Sequence, residues 1–173
     1  MQTKIQHSRI ATYLFGNYSL APLWLILRIY IGYEWVLAAS EKMFSPVWIG
    51  SQTGVALTGF LKGSLAKTTG AHPDVSGWYA YFIQNFALNH TVLFSYLVTY
   101  GELAVGVALI FGVLVGVSSF FGMVMNFNFL FAGTASINPI MTLIEIFLLL
   151  AWRTAGYYGL DRYVLPRLFK QRK

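Results

Sequence analysis

Four ionisable side chains interrupt stretches of the sequence that are otherwise apolar: Arg28, Glu34, Glu102 and Glu145. In hydrocarbon each costs at least a few kcal/mol unless it is paired or lines a wet cavity. One arginine cannot neutralise three carboxylates. At least one carboxyl is therefore expected to be protonated or hydrated, which is what proton-coupled chemistry needs. Other chemistries lack their residues. The chain has no cysteine, which excludes disulfides, thiolate metal ligands and a thiol nucleophile. His7, His72 and His90 lie on separate segments without ligand spacing, so no metal or haem site is expected. There is no GxGxxG and no phosphate loop, hence no nucleotide signature.

The elements that carry these groups must be membrane helices. Hydrophobic residues make up 57% of the 173 positions and charged residues 10%, against roughly a quarter charged in soluble domains. A chain this short cannot bury so much apolar surface in one water-facing core. The expected fold is all-α: a single polytopic domain, residues 1–173, forming an antiparallel bundle of four transmembrane helices. The spans read as about 20–39, 91–111, 113–132 and 139–152, long enough between them for a hydrocarbon core of roughly 30 Å. Only Gly112 separates the second span from the third, so the two form a tight hairpin, with Gly112 and Gly116 as a small-residue pair. Asn138-Pro139 reads as a helix cap followed by proline at the first helical position.

Residues 40–90 are too many for a plain connection. Val55, Leu57, Phe60, Leu61, Ser64 and Leu65 fall near helical spacing while Lys62 and Lys67 point elsewhere, predicting a short surface helix. KTTGAHPDVSG reads as a turn, and GWYAYFIQNFAL as an amphipathic, aromatic segment suited to the headgroup layer.

Charge sets the orientation. Six of the twelve basic residues are Arg153, Arg162, Arg167, Lys170, Arg172 and Lys173, immediately after the last apolar run. With Lys4 and Arg9 the termini carry eight, against Lys42, Lys62 and Lys67 in the long loop. Both termini are therefore expected in the cytoplasm, with the loop outside a plasma membrane crossed several times. A basic cluster in that place sets topology and implies no nucleic-acid partner. The N-terminal residues lack the pattern of a removable signal peptide.

Depth can be counted along the helices. Arg28 falls about 18 Å and Glu102 about 16 Å below the outer ends, so the two are expected to pair at mid-membrane. Glu34, Glu145 and Asn126 fall at about 9 to 10 Å, as an outer polar layer. Helical spacing puts Arg28, Gly32, Trp35, Ala39 and Lys42 on one stripe, and Ser95, Thr99, Glu102 and Gly106 on another. Asn126 shares a stripe with Gly112, Gly116 and Ser119, and Glu145 with Asn138 and Thr142. Two roles stay open for these groups: pairs and polar contacts that only fix helix register, or a reactive site.

LRIYIGYEWVLAASEKMF and YGELAVGVALIFG resemble the first and second spans of the DoxX family, and AGYYGLDRYV its closing Gly-Leu-Asp signature. The long insertion ending in GWYAYFIQNFALNH resembles the DoxD branch, and the resemblance runs from about Leu20 to Leu165. It implies the membrane subunit of a thiosulfate:quinone oxidoreductase, working in a hetero-oligomer with a small DoxA-like subunit. The implied reaction joins two thiosulfates to tetrathionate and passes two electrons to a membrane quinone. By position the resemblance puts weight on Arg28, Lys42, Glu102, Asn138, Glu145 and Asp161. Lys42, Lys62 and Lys67 are the cations expected to meet a dianionic substrate. A quinone slot is expected around Tyr30, Trp35 and Glu102, with Asn126 as a further polar contact. Arg28, Glu34, Glu102 and Glu145 are the candidate catalytic groups. No residue here stores electrons, so either sulfur transfers directly to quinone or the partner supplies a cysteine or cofactor. Two other functions stay open: a non-catalytic scaffold or assembly partner of a respiratory terminal oxidase, and a small-molecule transporter.

Overall fold

A computed structural model describes residues 9–168. Lys4, His7, Lys170, Arg172 and Lys173, used above for charge and metal-site readings, lie outside the described residues. The helices are α1 (Arg9–Gly16), α2 (Ala21–Met43), α3 (Val55–Leu65), α4 (Gly77–Asn85), α5 (Thr91–Phe111), α6 (Val115–Phe131), α7 (Asn138–Leu150), α8 (Trp152–Ala155) and α9 (Asp161–Leu168). No strand occurs among the described residues. Tyr18–Met43 and Gly77–Phe111 are long and apolar enough to cross a membrane by length and composition; α6 and α7 are shorter apolar helices.

α2, α5, α6 and α7 pack in two layers of neighbours, α2 along α5 and α6 along α7, with α5 joined to α6 and α2 resting on α7. Their outward faces are apolar, and several charged or polar groups lie inside among the apolar residues. Leu23, Ile26, Leu97, Phe121 and Leu143 face outward, while Arg28, Glu102, Asn126 and Glu145 are buried. That is the distribution expected where the surrounding solvent is apolar. The interior is completed by Trp24, Ile31, Trp35, Val105, Leu109 and Leu148. α2 and α5 cross in close backbone contact: a methyl group added at Gly106 would lie 2.8 Å from the Gly32 carbonyl oxygen.

Three local features depart from expectation. First, α2 continues past Ala39 to Met43, because AASEKM accommodates helix until Phe44-Ser45-Pro46 stops it. Second, the α5–α6 turn needs three residues rather than one, with Gly112 (φ 67°) and Leu114 (φ 47°) both in the left-handed region. Gly112 and Gly116 do not bring α5 and α6 together; they receive Gly159 and Trp152 respectively. Third, Asn138 does not cap α7. The Ile137 carbonyl accepts the first bonds, from the Ile140 and Met141 amides, and the Asn138 amide turns back to donate to the Thr134 carbonyl at 3.1 Å.

The segment between α2 and α5 folds over one end of the bundle. α3 buries Leu57, Leu61 and Ser64 and leaves Val55 out. α4 buries Tyr79, Ala80 and Ile83, and together with Val75 and Ala132 these form a second apolar cluster. Lys67 latches this lid to the end of α6 by donating to the Gly133 carbonyl at 2.7 Å.

Candidate functional site

Three helices converge on the carboxyl of Glu145, which is fully buried. From α2 the Trp35 indole Nε1–H donates to Oε1 at 2.7 Å. From α6 the Asn126 amide donates to Oε2 at 2.8 Å. The space exists because position 122, one turn before Asn126, is glycine: a methyl group there would run into the Glu145 carboxyl and lie 3.1 Å from Trp35 Nε1. Both donors are neutral. No lysine or arginine lies within ion-pair distance among the described residues. A carboxyl so held can take up or release a proton while its heavy atoms stay in place.

Glu102 does not pair with Arg28; its partner is Lys42, whose Nζ lies 2.8 Å from Oε2. Side chains on a helix lean toward its N-terminus. Lys42 thus reaches back one turn, donating also to the Ala38 carbonyl at 3.2 Å, with the Trp48 ring 5.3 Å from its ammonium. Above Glu102 on α5 the Ser95 and Thr99 hydroxyls are buried and without hydrogen-bond partners among the described residues.

Arg28 sits at the far end. Because Gly32 rests on Gly106 and Ile110, Arg28 is level with the α5–α6 turn, about 15 Å along α5 from Glu102. The residue is 1% exposed, and its guanidinium is wedged against Gly112 and Gly159. Nη2 donates to the Tyr158 carbonyl at 3.3 Å, while Nε and Nη1 have no partner among the described residues. Asp161 faces this end too, accepting from the Leu114 and Val115 amides at 2.6 and 2.8 Å. It thereby caps α6 from across the fold and complements the helix dipole. Burial pushes the Asp161 carboxyl up from its ordinary pKa, opposed by those two amides and by Arg28.

The remaining candidates are dispersed. Glu34 is half-buried and has no ion pair or side-chain hydrogen bond among the described residues. Tyr30 faces outward and Trp35 is engaged by Glu145, so the slot expected around Tyr30, Trp35 and Glu102 does not form. Lys62 is exposed, Lys67 serves the lid and Lys42 serves Glu102; the three do not share a site. No cluster of metal-ligating side chains occurs among the described residues.

Sequence reasoning missed a cavity of about 220 Å³ beneath the lid, lined chiefly by Phe60, Tyr79, Phe82, Phe94, Met125 and Phe129. The Tyr79 hydroxyl donates at its edge to Asn128, at 3.0 Å to the carbonyl and 3.1 Å to Oδ1. The aromatic density of GWYAYFIQNF was the available signal, and a headgroup belt and a cavity wall share that composition.

The model of the DoxX family matches residues 23–135, which takes in α2 to α6 and stops short of α7. No curated protein sequence and no solved structure matches the chain.

Proposed function

The chain belongs to the DoxX family, a family of membrane proteins, and from that premise we propose that it is the membrane subunit of a thiosulfate:quinone oxidoreductase. In this reading α2, α5, α6 and α7 cross the plasma membrane, the lid lies outside, both termini are cytoplasmic, and a small DoxA-like subunit completes the enzyme. Two thiosulfates are joined through a new sulfur–sulfur bond, and the two electrons released pass to a quinone, which takes up two protons.

The observation that carries this reading is the Trp35–Glu145–Asn126 arrangement, a buried carboxyl held by neutral donors. It stands one helix wall away from the lid cavity. Met125 and Phe129 line that cavity, whereas Asn126 turns inward to Glu145. The cavity's apolar, aromatic lining fits a quinone ring or the first part of its isoprenoid tail. Glu145 would then hold and release protons on the inner side of α6, and Asn126 and Trp35 would keep its carboxyl aimed. Lys62, exposed on the lid and without an ion pair among the described residues, is a cation available to an arriving dianion.

A scaffold role is the competing reading, favoured by the internal neutralisation of Glu102 by Lys42. The test is tetrathionate and quinol formation by the purified complex. Glu145→Gln preserves shape and an acceptor for Trp35 but cannot exchange a proton. The expected result is a folded complex with turnover reduced by at least about tenfold. Wild-type turnover by that variant would remove Glu145 from the mechanism. A wild-type complex that forms no tetrathionate with any quinone would favour the scaffold.

A further inference from the structure

Where the α5–α6 turn, α8 and α9 meet, two exposed arginines line one groove without a neutralising carboxylate among the described residues. Arg153 lies over the Trp152 ring at 4.9 Å and Arg162 over the Tyr157 ring at 5.4 Å. Both are exposed, and neither meets a carboxylate within ion-pair distance among the described residues. The neighbouring Asp161 has both oxygens taken by the Leu114 and Val115 amides. The arginines flank an open groove of about 740 Å³ walled by Tyr18, Trp152, Tyr157, Leu165 and Pro166. A second furrow, of about 590 Å³, shares Trp152, Asp161 and Leu165 with the first and continues along Val117 and Phe120 of α6 and Leu149 of α7.

We propose that these two adjoining grooves bind an anionic phospholipid, its phosphate between Arg153 and Arg162 and an acyl chain along Val117, Phe120 and Leu149. A guanidinium placed over an aromatic ring still has N–H groups to donate, and its planar fork matches two phosphate oxygens. The furrow runs along helices whose outward faces are apolar, the direction in which an acyl chain must lie. A free phosphate leaves this furrow unused. A zwitterionic lipid supplies the chain but brings an ammonium group beside the two arginines. The groove is on the opposite end of the bundle from the lid, so the proposal does not depend on the reaction assigned to the chain.

The test adds dioleoyl phosphatidylglycerol, dioleoyl phosphatidylcholine or inorganic phosphate to the delipidated protein in detergent. Bound lipid is counted by native mass spectrometry, and unfolding is followed thermally. Phosphatidylglycerol is expected to be retained and to raise the unfolding midpoint, and the other two are not. Arg153→Gln with Arg162→Gln is expected to weaken phosphatidylglycerol binding by at least about tenfold, while Lys62→Gln on the lid binds as wild type. Val117→Trp, which fills the furrow and leaves both arginines, is expected to weaken it as well. Should the glutamine pair fail to fold, Arg153→Lys with Arg162→Lys keeps the charge, removes the planar fork and is expected to bind severalfold more weakly. Equal binding of the two lipids, stabilisation by inorganic phosphate equal to that by phosphatidylglycerol, or unchanged binding by the folded arginine variants overturns the proposal.

Discussion

At the scale of single residues, the three buried acids are handled in three ways. Glu102 is held by a lysine, Asp161 by two backbone amides and Glu145 by an indole and an amide. The distinction has measurable consequences. Removing one partner of a buried pair strands the other, whereas removing both is nearly neutral. Glu102 is 1% exposed and the Lys42 side chain 16%, so the cost is asymmetric: Lys42→Met leaves a carboxylate with no way out, while Glu102→Gln leaves an ammonium beside Trp48. Lys42→Met is expected to destabilise by about 3 kcal/mol, Glu102→Gln by about 1 kcal/mol, and the double variant by less than Lys42→Met alone. Unfolding titrations in mixed micelles measure all three. Additive losses in the double variant would show that the ion pair is not coupled. On the proposed mechanism the folded double variant retains quinone turnover, since Glu145, not Glu102, handles protons.

At the scale of elements, the antiparallel α2–α5 pair sets the register from which the other contacts follow. Gly32 and Gly106 let the two backbones touch, which puts Arg28 against the α5–α6 turn and Lys42 above Glu102. A methyl group at position 106 would meet the Gly32 carbonyl oxygen, the Val36 amide nitrogen and Val36 Cγ2, each at 2.8 Å. Gly106→Ala is therefore expected to push the helices apart and cost about 1 to 3 kcal/mol. It should also weaken the Lys42–Glu102 contact, so a double-mutant cycle between Gly106→Ala and Glu102→Gln should show coupling. Full additivity would mean that the register does not depend on this crossing. The α5–α6 turn is held from a distance as well, by the Leu160 and Asp161 amides donating to the Phe111 and Gly112 carbonyls at 3.1 and 2.8 Å.

At the scale of the whole molecule, lid and arginine-rich groove occupy opposite ends of one bundle, and the proposed topology puts a membrane between them. The absence of cysteine makes this testable with single introduced thiols. A membrane-impermeant maleimide is expected to label Lys62→Cys, on the exposed face of α3, in intact cells. Tyr163→Cys, exposed on α9, should react only after permeabilisation. The reverse pattern would invert the orientation, and labelling of both from outside would rule out the four-crossing arrangement.

Composition and local pattern alone determined that the chain is helical, where α5 begins and ends, that α3 and α4 form within the long segment, and that Ser95, Thr99, Glu102 and Gly106 share one buried face. Those properties depend on short-range periodicity and on the apolar fraction, both readable from adjacent residues. Which acid meets which base was decided only in three dimensions. Counting 1.5 Å per residue from assumed helix ends placed Arg28 beside Glu102, but the count omitted four further residues of α2, the backward lean of Lys42 and the stagger fixed at Gly32 and Gly106. The Trp35–Glu145–Asn126 contact was likewise beyond reach, because it joins residues up to 110 positions apart. Such a contact depends on how three helices rotate about their axes, and that rotation is set by packing of the assembled bundle, not by any segment on its own.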